Sequence, residues 1–440
     1  MQLISFPGDV ADTKTRNQTV KAKDIASMLA IATCSLLTAT GSDNVSADDP
    51  SWQVDGAALM YSEKDRVDAA EPVLKISKRL KNDSLLTLKT VFDSLTGASP
   101  SGASPSNVPQ TYTRPSGNGS YVVPAEETPL DDTFHDTRTQ ISVDYDAPIG
   151  ELSRYNVGIN VSSEFDYDSV GISAGWQRDF NRRNTTLMLG VSFANDTLSP
   201  KGGIPTPLAS MQPAGDPAIR DGINDNKTVT DFILGVTQVI NRHMLMQLNY
   251  SYGQSSGYLN DPYKIVSVVD SVTGSTLDNI YESRPEERTK HSIYWQTKYF
   301  TPWQDTVDVS FRFMTDDWGI DSTTLDAKYR WNLSGKWYLE PHVRLYSQTA
   351  ADFYRHSITN ITLPMEHLTA DYRLAEFDAT TYGAKLGFRL SDKLELSMRA
   401  ELYESSGDGS PADAVGIQQQ LDLYPDLEAT ILQFGFSYRW

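Results

Sequence analysis

Apolar and polar residues alternate along most of this chain with a period of two. Across residues 138–145, Thr139, Ile141, Val143 and Tyr145 share one face, while Arg138, Gln140, Ser142 and Asp144 share the other. Successive side chains of an extended backbone point to opposite faces, so the period predicts a strand with one apolar side. The pattern returns at Tyr155, Val157, Ile159 and Val161, at Val170, Ile172, Ala174 and Trp176, and at Leu187, Leu189, Val191 and Phe193. It continues through Phe232, Leu234 and Val236, then Met246, Leu248 and Tyr250, then Ile293, Trp295 and Tyr299, then Val307, Val309, Phe311 and Phe313. Further repeats fall at Leu325, Ala327, Tyr329 and Trp331, at Trp337, Leu339, Val343 and Leu345, at Tyr382, Ala384, Leu386 and Phe388, and at Leu394, Leu396, Met398 and Ala400. The last eleven residues place Leu432, Phe434, Phe436, Tyr438 and Trp440 on one face. With weaker stretches at residues 52–62, 73–80 and 85–93 included, the chain predicts about sixteen strands.

The segments between strands alternate in length. Those at residues 81–83, 147–152, 181–184, 241–243, 301–305, 334–336 and 391–393 are short, whereas 97–136, 196–226, 256–287, 349–374 and 404–426 are long, with brief exceptions near Asp166 and Asp317. Transmembrane barrels have this parity, with short periplasmic turns and long extracellular loops, and a soluble sandwich has no reason to keep it. Trp52, Trp176, Trp303, Trp331, Trp337 and Trp440 all fall near short-turn strand ends, as an interfacial girdle requires. The expected fold is all-β: a transmembrane antiparallel up-and-down barrel of about sixteen strands, an even number as bacterial barrels have. The mean hydropathy of -0.41 does not argue against it, because only alternate residues of such strands face lipid.

One sustained apolar run, residues 25–37, is too short for a spanning helix and follows Lys14, Arg16, Lys21 and Lys23. It reads as a secretory signal over residues 1–47, cleaved between about 41 and 47, leaving residues 48–440 as a single barrel domain. The sole cysteine, Cys34, lies inside that run, so cleavage would leave neither disulfides nor cysteine-held metals. The net charge is -19, and residues 1–47 carry equal numbers of acids and bases. A mature chain so acidic is a poor match for nucleic acid, which calls for concentrated Lys and Arg.

If the polar faces point inward, the candidate pore-lining residues are Arg138, Asp144, Arg154, Lys298, Asp308, Arg312, Asp326, Lys328, Arg330, Glu340, Arg344, Lys385, Arg389 and Arg399, with His342 among them. Two readings stay open: a weakly anion-favouring wall, or cross-strand ion pairs that stiffen the barrel. The long segment at 97–136 holds five prolines and, between Gly97 and Val123, only Arg114 as a charge. For this segment too, two readings stay open, a mobile surface loop or a constriction folded into the mouth with Tyr112, Arg114 and Tyr121 contacting the wall. Acidic residues collect in the long loops, which suits a solvated outer face, or divalent ions shared with lipopolysaccharide, better than a calcium site. No Walker loop, dinucleotide fingerprint or paired metal spacing is present, and neither a catalytic role nor a cofactor is expected.

Two resemblances add to this. The terminal strand, ending on an aromatic residue, resembles the closing strand of Gram-negative outer-membrane barrels, where that residue is read by the barrel assembly machinery. SLTGASPSGASPS at 94–106, VPQTYTRPSG at 108–117, LDDTFHDTRT at 130–139, GYLNDPYK at 257–264 and ADYRLAEFDATTYG at 370–383 together resemble a large, poorly characterised Gram-negative outer-membrane barrel family of the domain-of-unknown-function type. That resemblance implies the cell outer membrane as location, with lipid and lipopolysaccharide around the barrel. It also implies gene neighbours encoding a thioredoxin-like protein, a small lipoprotein and a periplasmic flavin transferase. The functions to be distinguished are therefore a porin-like channel for an unidentified solute and a non-conducting sheath or anchor for a periplasmic or lipoprotein partner in extracytoplasmic redox or flavin-linked work.

Overall fold

Closure is the central fact of the architecture. A computed structural model describes residues 52–64, 66–114, 119–217, 219–360 and 365–440; the expected signal segment, its cleavage site and Cys34 lie outside the described residues. Sixteen long strands follow one another around a ring: β1 (Trp52–Glu63), β2 (Val67–Arg79), β3 (Leu85–Pro100), β4 (Leu130–Ile149), β5 (Ser153–Ser163), β6 (Tyr167–Phe180), β7 (Thr185–Leu198) and β8 (Asp225–Asn241) form the first half. The second half is β9 (Met244–Gly257), β10 (Glu287–Phe300), β11 (Thr306–Asp316), β12 (Asp321–Asn332), β13 (Trp337–Gln348), β14 (Phe377–Ser391), β15 (Leu394–Gly407) and β16 (Leu427–Arg439). Each pairs antiparallel with the next, and β16 pairs antiparallel with β1.

The shortest strands, β5 and β11, have 11 residues each. At about 3.3 Å per residue and a tilt near 40°, such a strand rises roughly 28 Å, enough for the ~25 Å apolar band of a membrane barrel. The outward face supplies that band. Phe434, Phe436, Tyr438 and Trp440 are each 40–44% exposed in one row on β16, and Ile141, Val157, Ile172, Leu248, Phe311 and Val343 stand outward in the same way. A water-soluble protein does not present an apolar belt of this extent. The inward face holds the buried charges, so the usual arrangement of a globular protein is inverted.

The seam between β1 and β16 is secured on both faces. Trp52 and Trp440 exchange two backbone hydrogen bonds of 3.0 Å, and their rings stack with centroids 6.1 Å apart. Inside, Leu59 and Tyr61 of β1 pack with Val67 and Ala69 of β2, Leu95 of β3, and Leu427, Ala429 and Ile431 of β16. This apolar cluster lies towards the long-loop rim. It breaks the rule that inward positions are polar, which is why the period-two reading is weakest in the first strands. Strand β2 accordingly starts at Val67, earlier than the expected 73, and its ladder to β3 is interrupted at Pro72, which has no N–H to donate.

Strands β3 and β4 are also longer than expected, so the connection predicted at 97–136 is confined to residues 101–129. The extension was masked by a glycine- and serine-rich sequence with no alternation to read. At Gly97 the backbone has φ 129, and a Cβ there would strike the carbonyl of Arg66.

Two outcomes follow from this architecture. An epitope inserted at Gly202 should be labelled on intact cells and one at Gly335 should not, because they sit at opposite rims; labelling at Gly335 would reverse the assigned orientation. Leu59→Ala should lower stability by about 2–5 kcal/mol, the usual cost of emptying a packed site. Denaturant titration of the heat-modifiable folded band reads this, and an unchanged midpoint would deny the internal cluster its role in holding the seam.

Candidate functional site

Alternation turns every second side chain of these strands into the barrel, and the register then decides which charges meet. On β3 and β4, Asp93 and Arg138 are paired across the ladder, with Glu71 buried beside them on β2. Near the short-turn rim Arg154 donates to Asp146 at 2.7 Å and also reaches Asp83 at 3.2 Å. Lys298 pairs with Asp308 at 3.2 Å, which also accepts from Gln296 at 2.7 Å, and Arg312 donates to Ser292 at 3.1 Å.

The densest part of the network spans β12 to β15. His342 is its hub: Nε2 stands 2.9 Å from Asp326 and Nδ1 2.8 Å from Glu401. Arg399 lies 3.2 Å from Glu401 and 3.7 Å from Glu340, while Arg330 reaches Glu340 at 3.0 Å and covers the ring of Tyr338 at 4.2 Å. Lys328 is 3.8 Å from Asp326, Lys385 lies between Glu340 and Arg399 in the ladder, and Arg344 is opposite Asp326. Arg389 pairs with Glu395 at 3.6 Å closer to the rim, and Asp144 occupies the space left open by Gly158. The candidate wall residues therefore sit on inward faces, and most named charges have a partner of opposite sign. Such a wall is close to neutral and held in register.

The five long connections fold onto one another. Ile265 N donates to Ser101 O at 3.0 Å, Ser104 N donates to Ser267 Oγ at 3.0 Å, and Ser104 Oγ donates to His356 O at 2.9 Å. These three loops leave the ring between β3 and β4, between β9 and β10, and between β13 and β14. Their roots are separated by four to six strands of the sixteen, so they can meet only by crossing the mouth. The remaining two join from the sides: Ser210 donates to Asp278 at 2.6 Å, and Ile417 N donates to Thr273 O at 2.8 Å.

Within this cap a short hairpin (Gln110–Thr113 with Ser120–Val123) carries the predicted constriction residues. Tyr112 packs with Ala103, Val123, Ile265 and Tyr281; it stacks on Tyr121 at 5.6 Å, and Arg114 lies 5.9 Å over the Tyr121 ring. The contacts of Tyr112 are thus with its own loop and the loop between β9 and β10 and not with the barrel wall as expected, and Thr113 adds a bond of 2.8 Å to Gln212 O.

Within the cap lies a buried ionic cluster that residue-by-residue reading missed. Arg284 binds Glu282 at 2.7 Å and Asp371 at 2.8 Å, Arg373 binds Asp261 at 2.8 Å and also Asp371, and Lys264 is bonded to Pro100 O. Burial alone would raise the Asp371 carboxyl, yet Arg373, Lys264 and Arg284 hold it well below the ordinary carboxylate range. Burial pushes Glu282 the other way, upward. The available signal was positional: Asp261 and Lys264 belong to GYLNDPYK, and Asp371 and Arg373 to ADYRLAEF. Spacing could not show that stretches about a hundred residues apart share one site.

A family model described as protein of unknown function (DUF3570) matches residues 26–438. No curated protein matches the chain. Among solved structures, similarity is found to a bacterial polysaccharide outer membrane secretin, at 8% identity, TM-score 0.45, covering 88% of this chain and 98% of that one. It is also found to the CymD monoaromatic hydrocarbon channel, at 7% identity, TM-score 0.38, covering 89% of each chain. CdiB from Acinetobacter baumannii follows at 7% identity and TM-score 0.43, with 88% of this chain and 60% of that one. Similarity this distant carries no functional argument.

Asp371→Asn should loosen the cap without opening the barrel, because removing one member of a buried charge cluster costs about 3–5 kcal/mol. Limited proteolysis at neutral pH should then cut within residues 258–286 while the heat-modifiable band persists. The unmodified protein should show the same cuts on acidification. The folded Asp371 value is depressed, so its contribution is present above the unfolded carboxylate value and is lost as pH falls through the folded one. Glu282 has the opposite sign, its contribution being lost as pH rises through its raised value. A cap that resists protease in the variant would remove the ionic cluster from its supporting role.

Proposed function

We propose that this chain, which belongs to that family of proteins of unknown function, is a porin-like conduit of a Gram-negative outer membrane, shut in the conformation described by its own loop cap. The observation that carries the reading is the combination of a sixteen-strand ring enclosing a polar interior with loops rooted far apart on that ring meeting over one mouth. Rings of about sixteen strands are wide enough to leave an aqueous lumen. A closed ring with no free edge, ending on an aromatic strand, suits the outer membrane and its assembly route. Passage would be passive, past a nearly neutral wall of paired charges, and no residue is assigned a catalytic role.

One observation favours a second reading. The interior charges from β12 to β15 are paired and buried, as they would be in a barrel that serves as a sheath. In that role its partner would be a periplasmic thioredoxin-like protein or a small lipoprotein working in extracytoplasmic redox or flavin chemistry.

Planar-bilayer recording on purified protein separates the two. Replacing residues 101–120 by a short Gly-Ser linker should raise single-channel conductance while the amount of inserted barrel stays the same. Silence from both the native protein and the linker variant, each shown to be inserted, would defeat the conduit and leave the sheath.

A further inference from the structure

The two rims differ in charge sign, and the short-turn rim runs against the chain as a whole. The seven turns of the short-turn rim expose six basic side chains, Lys81, Arg182, Arg183, Arg242, Lys336 and Lys393, but only three acidic ones, Asp83, Glu151 and Asp392. Asp83 is already taken by Arg79 at 2.7 Å and Arg154 at 3.2 Å. The net charge of the chain is -19, so the deficit of bases lies elsewhere, above all in the long loops. The bases are spread over five of the seven turns, β2–β3, β6–β7, β8–β9, β12–β13 and β14–β15, and so encircle the ring instead of marking one side.

Directly next to them sits the aromatic girdle. Lys336 adjoins Trp337 and Arg439 adjoins Trp440, while Lys78 lies 4.6 Å over the Trp52 ring and Arg178 5.6 Å from the Phe180 ring. Trp303, Trp331 and Trp440 are outward and 77%, 52% and 44% exposed. Indole at the interface beside a base is the placement in which an ammonium or guanidinium meets a lipid phosphate. The β6–β7 turn holds Arg182 and Arg183 exposed in left-handed backbone, φ 57 and 66, continuing from Asn181 at φ 50, with Arg183 4.0 Å from Asp179 and donating to Glu151 O at 3.0 Å.

From this juxtaposition we propose that the short-turn rim is a binding annulus for anionic glycerophospholipid headgroups in the leaflet it contacts. An acidic protein docking on the same rim would need the bases gathered on one arc. The annulus selects lipid by charge, and the girdle above fixes the depth of the barrel.

Full-length protein reconstituted in phosphatidylcholine bilayers, with either brominated phosphatidylglycerol or brominated phosphatidylcholine added, tests this through tryptophan quenching. Most of the tryptophans lie at this rim. At low salt the anionic lipid should associate about five-fold more strongly than the zwitterionic one, falling towards parity in high salt. A variant with Arg182→Gln, Arg183→Gln, Lys336→Gln and Lys393→Gln should lose most of the preference, and Arg182→Lys with Arg183→Lys should keep it. All four positions are exposed turn residues, and the heat-modifiable band checks folding. Equal quenching by both lipids in the native protein would overturn the proposal. So would retention of a polyglutamate probe by the native protein in neutral bilayers, lost in the Gln variant, without any lipid preference, since that result would assign the rim to an acidic polypeptide.

Discussion

Hydrocarbon offers no partner to a backbone N–H or C=O, and every other feature of this protein follows from that constraint. An unsatisfied group costs several kcal/mol in lipid, so a sheet crossing a membrane must have no edge. Sixteen strands meet the requirement only if the first and last of them join, which makes the β1–β16 ladder the bond on which the ring depends. It is reinforced accordingly, by stacked Trp52 and Trp440 outside and by Leu59, Tyr61 and Ile431 inside. The inner cluster is placed where the alternating pattern would have put polar residues. A seam lined only with paired charges would gain little net stability, because desolvation offsets most of their attraction, whereas packed side chains contribute directly.

The same constraint explains how much of the molecule was legible beforehand. Period-two alternation is a local property, and it identified the strands from β4 onwards, together with the parity of turns and loops and the tryptophans of one rim. It failed where another force overrode it. Val67 and Ala69 are inward and apolar because they seal the seam, so β2 was read from residue 73 only. Residues 94–100 and 130–136 extend a ladder whose outer parts stand above the apolar band, where lipid no longer demands alternation.

The interior was legible as a list but not as a network. Any inward strand residue can be named from its period, yet whether Arg399 meets Glu340, Glu401 or water depends on register between strands, which no single strand reveals. His342 illustrates the gap: in the chain it is one polar residue on β13, and in the ring it bridges Asp326 of β12 and Glu401 of β15. The cap was less legible still. Ser101, Ser104, Lys264, His356 and Asp371 come from three loops, and their meeting depends on where those loops leave a closed ring.

A barrel and a cap built this way do different physical work. The barrel is held by a continuous ladder that cannot open locally without exposing backbone to lipid, so it behaves as a single cooperative unit. The cap lies outside that limit, in water, where a lost hydrogen bond is replaced at small net cost. What unites its loops is a buried cluster of Asp261, Lys264, Glu282, Arg284, Asp371 and Arg373 and a few apolar contacts such as Trp318 on Phe353 at 5.1 Å. Buried ion clusters are modest sources of stability, but they are intolerant of partial disruption. A cover assembled from such parts is held by interactions separate from the ladder of the ring beneath it. The ring and its cover are thus stabilised by different forces, a continuous backbone ladder in the one and a buried charge cluster with scattered apolar contacts in the other.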